Sequence, residues 1–173
     1  CTKEPETVEW IRSFVKPGDI FCDIGANVGA YSLIAAHVMQ GKGHVYAFEP
    51  SFSTFASLCK NIVSNPSIQS SVISPFPVVL YKEMKIIHFN YKDLDPGYAM
   101  HEVSEEKEGT GVFTQPMLAY TLDGFLKTFE LLLPTHLKID VDGAELEVLQ
   151  GAEQTLKNPG LKTLLIEINE EKN

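Results

Sequence analysis

Asp23, Gly25, Gly29 and Glu49 are the residues of this sequence whose types and spacing could do chemistry. Asp23 interrupts the apolar run Ile20–Ile24 near its end, and Gly25 and Gly29 bracket a tight turn before a longer apolar stretch opens at Ala30. A strand that breaks into a glycine-rich turn and starts a helix leaves backbone N–H groups facing a crevice. A carboxylate beside that turn favours a polar or cationic ligand. Glu49 follows Gly29 by 20 residues and closes a second apolar strand, His44–Phe48. An acid at the end of the second strand of a βαβ unit is where a ribose diol is held, because one carboxylate can accept hydrogen bonds from both hydroxyls. Together these features mark a cofactor site.

The elements that must position these groups follow from the apolar pattern. Thr7–Val15 reads as an amphipathic helix with Trp10 in core or lid packing. Ile20–Ile24 suits a strand buried on both faces. A helix from Ala30 to Gln40 stops at Gly41-Lys42-Gly43, and Ser51 caps a helix carrying Phe52, Phe55, Leu58, Cys59 and Ile62. Past Asn65 the pattern weakens into short strands at Val78–Tyr81, Lys85–Asn90 and Val112–Tyr120. The acidic stretch Asp93–Gly111 reads as a solvated loop, with a lid over a substrate as the alternative. Thr121-Leu122-Asp123 starts a helix that ends before Pro134. His136–Val141 is the next strand, Asp142–Leu156 a helix opened by an Asp142–Glu145 capping box, and Lys162–Asn169 the last strand. Strands alternating with helices define an α/β protein with a mostly parallel, twisted sheet flanked by helices.

A chain of 173 residues accommodates one domain with a sizeable core. A net charge of −9 leaves nothing to replace the counterions of a nucleic-acid backbone, so that partner is excluded. The longest stretch free of charged residues, Asn61–Tyr81, holds three prolines and five serines and is no membrane helix. Cys1, Cys22 and Cys59 lack metal-ligand spacing and read as reduced thiols of a cytoplasmic protein without a signal peptide. The five histidines are scattered, so no metal centre is expected, although Asp140 with Glu167 could host a cation. The opening Cys1, in place of Met, points to a chain trimmed at its start. Nothing in the sequence speaks to oligomeric state.

Four blocks carry a resemblance to a known family: PGDIFCDIGANVGAYS at 17–32, VYAFEPS at 45–51, TLDGFL at 121–126 and HLKIDVDGAELEVLQGA at 136–152, followed by LLIEIN. In this order they resemble the class I S-adenosylmethionine-dependent methyltransferases and, within them, the FkbM family; the KIDVDGAE block is the family-specific part. The resemblance implies a Rossmann-like fold and S-adenosylmethionine as cofactor. Asp23, Gly25, Asn27 and Gly29 would form the loop against its methionine part, Glu49 would hold the ribose hydroxyls, Pro50 and Ser51 would shape the adenine side, and Asp140 would face the methyl-transfer region. It also implies O-methylation of a small-molecule or glycan-type acceptor, shaped by the poorly matching stretch Ser64–Thr114. The class I fold continues with a helix and an antiparallel hairpin past the fifth core strand, where this sequence stops. A single methyltransferase domain over 1–173, truncated at one or both ends, is therefore expected.

Transfer of a methyl group from a sulfonium to an oxygen is an in-line displacement that needs a base for the acceptor hydroxyl. Asp140 is the first candidate and Glu167 the second. Glu167 interrupts an apolar strand, where a bare carboxylate is costly, and Lys138 is placed to pair with it. Two other readings compete: a nicotinamide dinucleotide oxidoreductase and a non-catalytic Rossmann-like binding module. Against the first, GANVG lacks the G-x-G start that lets a pyrophosphate approach the backbone, and Asp23 would repel that anion.

Overall fold

A computed structural model of the chain describes residues 4–66, 68, 72–98, 101–106 and 111–167. In chain order its elements are α1 (Pro5–Phe14), β1 (Ile20–Ile24), α2 (Ala30–Val38), β2 (His44–Phe48), α3 (Phe52–Val63), β3 (Ile73–Phe76), β4 (Val79–Leu80) and β5 (Lys85–Tyr91). There follow β6 (Glu102–Ser104), β7 (Phe113–Tyr120), α4 (Leu122–Thr128), β8 (His136–Ile139), α5 (Glu145–Gln150), α6 (Glu153–Lys157) and β9 (Thr163–Ile166).

β1 is buried along its whole length and lies between β2 and β8 in a five-stranded sheet of order β3-β2-β1-β8-β9. Every pairing in it is parallel. Strands covered on both faces need near-continuous apolar runs, which IFCDI and HVYAF supply. Phe21 packs with Val8, Ile11 and Ala35 on the α1–α2 side. Cys22 and Ile24 pack with Phe125, Leu126 and Val148 on the other. Trp10 joins the first layer, its ring against Phe21 and His136. From β1 the chain steps outward through β2 and β3, then returns to the other side of β1 for β8 and β9. Such a reversal opens a crevice at the carboxyl ends of the central strands.

Between β3 and α4 the chain builds a second sheet of order β4-β7-β5-β6. β5 runs antiparallel to β7 and β6, and Ile87, Phe89, Tyr91 and Ala119 share a small core with Val79 and Tyr81. β4, β5 and β7 fall on the short strands expected at Val78–Tyr81, Lys85–Asn90 and Val112–Tyr120, but their pairing into a separate sheet, and the strands β3 and β6, are not apparent from the apolar pattern. β3 is an edge strand containing Pro75, whose missing N–H is tolerated there. β6 is three residues long within the acidic stretch expected to be a solvated loop; residues 99–100 and 107–110 of that stretch lie outside the described residues, as do Cys1 and positions 168–169 of the last expected strand.

The helix expected over Asp142–Leu156 is two short helices. Gly151 passes so close to Tyr81 that a Cβ would lie 2.1 Å from its carbonyl oxygen. The Asp123 carboxylate restarts the second helix by accepting from the Gln154 and Thr155 amides at 2.7 and 2.9 Å. The Asp142–Glu145 capping box does not form. Ala144 is the N-cap, Glu145 accepts from the Gly143 amide, and Asp142 accepts from the His101 amide at 3.2 Å. Among the described residues no helix is long and apolar enough to cross a membrane.

At the amino-terminal end of the sheet, buried Asp19 binds His136 Nε2 at 2.9 Å, the Lys16 amide at 2.8 Å and the Lys162 ammonium. Burial pushes its carboxyl up, but the bonds from Lys162, His136 and Lys16 outweigh this and it titrates below its ordinary value of 3.8. Its contribution to stability is therefore complete above 3.8 and lost as pH falls through the lowered folded value. Asp19→Asn should cost about 1–3 kcal/mol at neutral pH, and denaturation curves of mutant and wild type should converge at acid pH. A gap unchanged at acid pH would contradict this role.

Candidate functional site

The crevice is a cavity of about 480 Å³ at the carboxyl ends of β1, β2 and β8, roofed by the second sheet and the loop before β6. That volume lies in the range of small-molecule sites, roughly 300–1,000 Å³. Ile24, Phe48, Val79, Leu80 and Phe89 give it apolar walls. Its charged lining residues are Glu4, Glu49, Asp140 and Asp142, and no Lys or Arg is among the described residues that line it.

The loop after β1 is shaped by close approach. A Cβ on Gly25 would lie 1.8 Å from the Asp140 carbonyl oxygen, and φ is +79° there. Asn27 also has positive φ, which Asn tolerates better than most residues. The amides of this loop do not face the crevice unpaired, contrary to the expectation. Gly25 and Ala26 donate to the Phe48 carbonyl at 3.0 and 2.9 Å, Asn27 to Glu49 Oε2 at 2.9 Å, and Val28 to the Asn27 side chain at 2.7 Å. The turn is braced from within and offers no nest of free donors for an anion.

Glu49 is 7% exposed. Besides Asn27, it accepts from the Ser51 amide through Oε1 at 2.9 Å. Burial pushes its carboxyl up to about 7, against the pull of the two amides, and the charges of Asp142 and Asp23 add to the rise. Each carboxylate oxygen keeps a further lone pair. Ser51 is the N-cap of α3 but its hydroxyl makes no capping bond; its own amide donates to Glu49. Pro50 lines the cavity, whereas Ser51 is fully buried outside the lining.

Asp23 and Gly29 also sit behind the lining. Asp23 points from β1 toward α2, where Oδ2 accepts from Ser32 Oγ at 2.6 Å. Its Oδ1 lies 3.7 Å from Lys138 Nζ without a hydrogen bond. A Cβ on Gly29 would meet Leu58 Cδ1 at 2.4 Å, so this glycine lets α2 start against α3. The strand register explains the charges around Lys138. Asp23 is its partner across β1 and β8, while Leu165 is its partner on β9. The expected Lys138–Glu167 pair is replaced by Lys138–Asp140 at 2.7 Å, two residues along the same strand. Glu167 comes opposite Asp140, and carboxylate oxygens of Glu4, Asp140 and Glu167 lie within 4.8 Å of one another. Burial, then the charges of Asp140 and Glu4, raise the Glu167 pKa.

The pattern of apolar residues does not single out Glu4, Tyr31, Asp142, Tyr98 or His101, which all line the cavity. The available signal was the aromatic pair Tyr98 and His101 within an acidic run. Their loop is tied down where it crosses the site: the Gly97 amide donates to Thr54 Oγ1 at 3.1 Å and its carbonyl accepts from Asn27 Nδ2 at 3.4 Å.

Fold and site thus define an α/β domain of Rossmann-like topology with an acid-lined crevice at the switch point of its parallel sheet. Residues 23–173 match the family described as Methyltransferase FkbM domain, and the chain belongs to that family. It is 26% identical over 166 residues to the hexuronic acid methyltransferase AglP of Haloferax volcanii, which covers 96% of this chain and 62% of AglP. The chain thus spans less than two-thirds of that relative's length. Among solved structures it resembles the methyltransferase FkbM from Methylobacillus flagellatus KT, with a TM-score of 0.57, 17% identity, and coverage of 82% of this chain and 30% of that one. It also resembles a precorrin-6y C5,15-methyltransferase from Geobacter metallireducens GS-15, with a TM-score of 0.57, 13% identity, and coverage of 96% and 63%. These two likenesses establish the Rossmann-like methyltransferase fold.

Two glycines separate the roles of the loop. Gly29→Ala meets a flexible side-chain end and a left-handed backbone, and should cost about 1–3 kcal/mol. Gly25→Ala meets a fixed carbonyl and should cost more. Denaturant titration of both variants checks the order; equal losses would contradict the close approach at Gly25.

Proposed function

We propose that this chain binds S-adenosylmethionine in the crevice and transfers its methyl group to a hydroxyl oxygen of a small-molecule or glycan-type acceptor. The observation that carries this reading is Glu49, a buried carboxylate fixed by two amides at the end of β2 with lone pairs to spare. The donor set fits the cofactor: a carboxylate for a diol, apolar walls for a base, and an acidic lining for a cation. A dinucleotide is disfavoured, because the amides from Gly25 to Val28 are all bonded within the protein and the lining would repel a pyrophosphate.

When bound, S-adenosylmethionine supplies an electrophilic methyl group on a sulfonium. In this reading Glu49 accepts from the ribose hydroxyls, Gly25 and Asn27 abut the methionine part, and Pro50 flanks the adenine. Asp23 and Gly29 act from behind, Asp23 through Ser32 and Lys138, and Gly29 by seating α2. Asp140 faces the acceptor, held by Lys138, and the acceptor's proton passes to Asp140 or to Glu167 beside it. The raised pKa of Glu167 makes it a better proton acceptor near neutrality than an ordinary carboxylate. The roof of aromatic residues and the tethered Gly97 loop exclude water. AglP's name supports a sugar-type acceptor, and the family supports methyl transfer.

Calorimetric titration with S-adenosylmethionine tests the reading. Glu49→Ala should weaken binding roughly ten- to a hundredfold, the loss of one or two charge-assisted hydrogen bonds. With the Glu49 pKa near 7, wild-type affinity should fall about tenfold between pH 8 and pH 6 as the acceptor carboxylate protonates. Glu49→Gln should abolish that dependence. Unchanged affinity in Glu49→Ala would overturn the ribose assignment, and tight binding with no transfer to any hydroxyl acceptor would favour a non-catalytic binding module.

A further inference from the structure

Glu4, Asp140 and Glu167 bring carboxylate oxygens within 4.8 Å of one another, yet only Glu4 and Asp140 line the cavity. Glu167 stands beside Asp140 and outside the lining, its amide donating to the Ile139 carbonyl at 3.0 Å. The two side chains are hydrogen-bonded to each other. Two carboxyls can bond in this way only when one of them carries a proton. They are in position to pass that proton between them.

Their surroundings differ. Lys138 bonds Asp140 Oδ2 at 2.7 Å and acts on Glu167 only through its charge. Glu4, whose Oε2 accepts from the Tyr31 hydroxyl at 2.7 Å, adds its own negative charge to that of Asp140 around Glu167. Burial, then Asp140 and Glu4, raise the Glu167 carboxyl above its ordinary value, with Lys138 opposing. A carboxyl that faces two others is where a proton comes to rest. Asp140 is the member open to the cavity, its side chain 32% exposed against 1% for Lys138, and half-buried Glu167 offers a way out to solvent.

We infer that the acceptor's proton moves in two steps, from the hydroxyl oxygen to Asp140 and from Asp140 to Glu167, which releases it to solvent. This assignment rests on the methyl transfer proposed above and separates the roles of the two carboxylates. In the first step the oxygen–methyl bond forms, the methyl–sulfur bond breaks with its electron pair staying on sulfur, and the hydroxyl proton goes to Asp140. The second step restores the Asp140 carboxylate beside Lys138 for the next acceptor. Asp140 is thus the catalytic residue, and Glu167 acts through it.

Two measurements test the relay. In carbon-13 NMR titrations of the ligand-free chain, Glu167 should titrate above its ordinary value of 4.5 and fall back toward it in Asp140→Asn, because losing a neighbouring negative charge favours the ionised form. Methyl transfer to a panel of neutral hexosides and hexuronates reads the second step. There kcat of the unaltered chain should fall as pH drops through the raised Glu167 value. Glu167→Gln should lose that step in the profile and lower kcat roughly ten- to a hundredfold, with affinity for S-adenosylhomocysteine unchanged. Glu167→Ala should regain activity with added formate, which should leave the unaltered chain unaffected; if that variant does not fold, the pH profile of Glu167→Gln decides. A Glu167 that titrates as an ordinary glutamate, an unchanged kcat in Glu167→Gln, or a loss that formate does not restore overturns the relay. If the unaltered chain methylates none of these acceptors, the methyl-transfer reading fails and the relay with it; transfer that ignores Glu167 overturns only the relay.

Discussion

The Glu49 carboxylate, held between the amides of Asn27 and Ser51, is the constraint on which the geometry of the site depends. It ties the end of β2 to the loop after β1 and to the first turn of α3, so three chain segments share one buried acceptor. The amides of Gly25 and Ala26 on the Phe48 carbonyl reinforce the same junction one residue earlier. A carboxylate desolvated this far costs free energy, which the raised pKa records. Two donated amides offset part of that cost, and a ligand diol would offset more. Each Glu49 oxygen keeps a lone pair beyond the amide it accepts from, which is the basis of the binding role proposed for it.

A second charged system lies on the α1–α2 face of the sheet. Lys138 is fully buried, between Asp23 and Asp140 and with its ammonium 5.0 Å from the Tyr31 ring centroid. One buried cation thus serves two carboxylates on adjacent strands, and Asp140 is the one that reaches the cavity. Removing Lys138 would leave Asp23 buried without a cation, which is far costlier than the pairing is stabilising. Burial makes both systems effective, because charges act more strongly where water is thin: the second sheet roofs the cavity that Glu49 lines, and α2 covers Asp23 and Lys138 through Ser32 and Tyr31. The roof and the acidic floor are parts of one electrostatic design.

Much of this was legible in the sequence, for identifiable reasons. β1, β2 and β8 are buried on both faces, so their composition alone betrays them, and Gly25 and Glu49 stand at strand ends where phase hardly matters. What was not legible depends on direction and on partners distant in the chain. Asp23, Gly29 and Ser51 have the right types, yet each faces away from the crevice, toward Ser32, Leu58 and Ser53. Lys138 pairs with Asp140 rather than Glu167 because parallel register sets Leu165 opposite it. Asp142 and Glu145 spell a capping box, but the His101 amide, 41 residues away, claims Asp142. The second sheet is hidden because pairing β5 with β7 is a tertiary choice, and Pro75 and the acidic setting of β6 mask their short strands.

The role of Glu49 is tested most directly by a crystal structure of the chain with S-adenosylhomocysteine bound. Both ribose hydroxyls should lie within hydrogen-bonding distance of Glu49, with the Asn27 and Ser51 amides still donating to the same carboxylate. A ligand seated elsewhere, or in the crevice with its ribose turned away from Glu49, would contradict it.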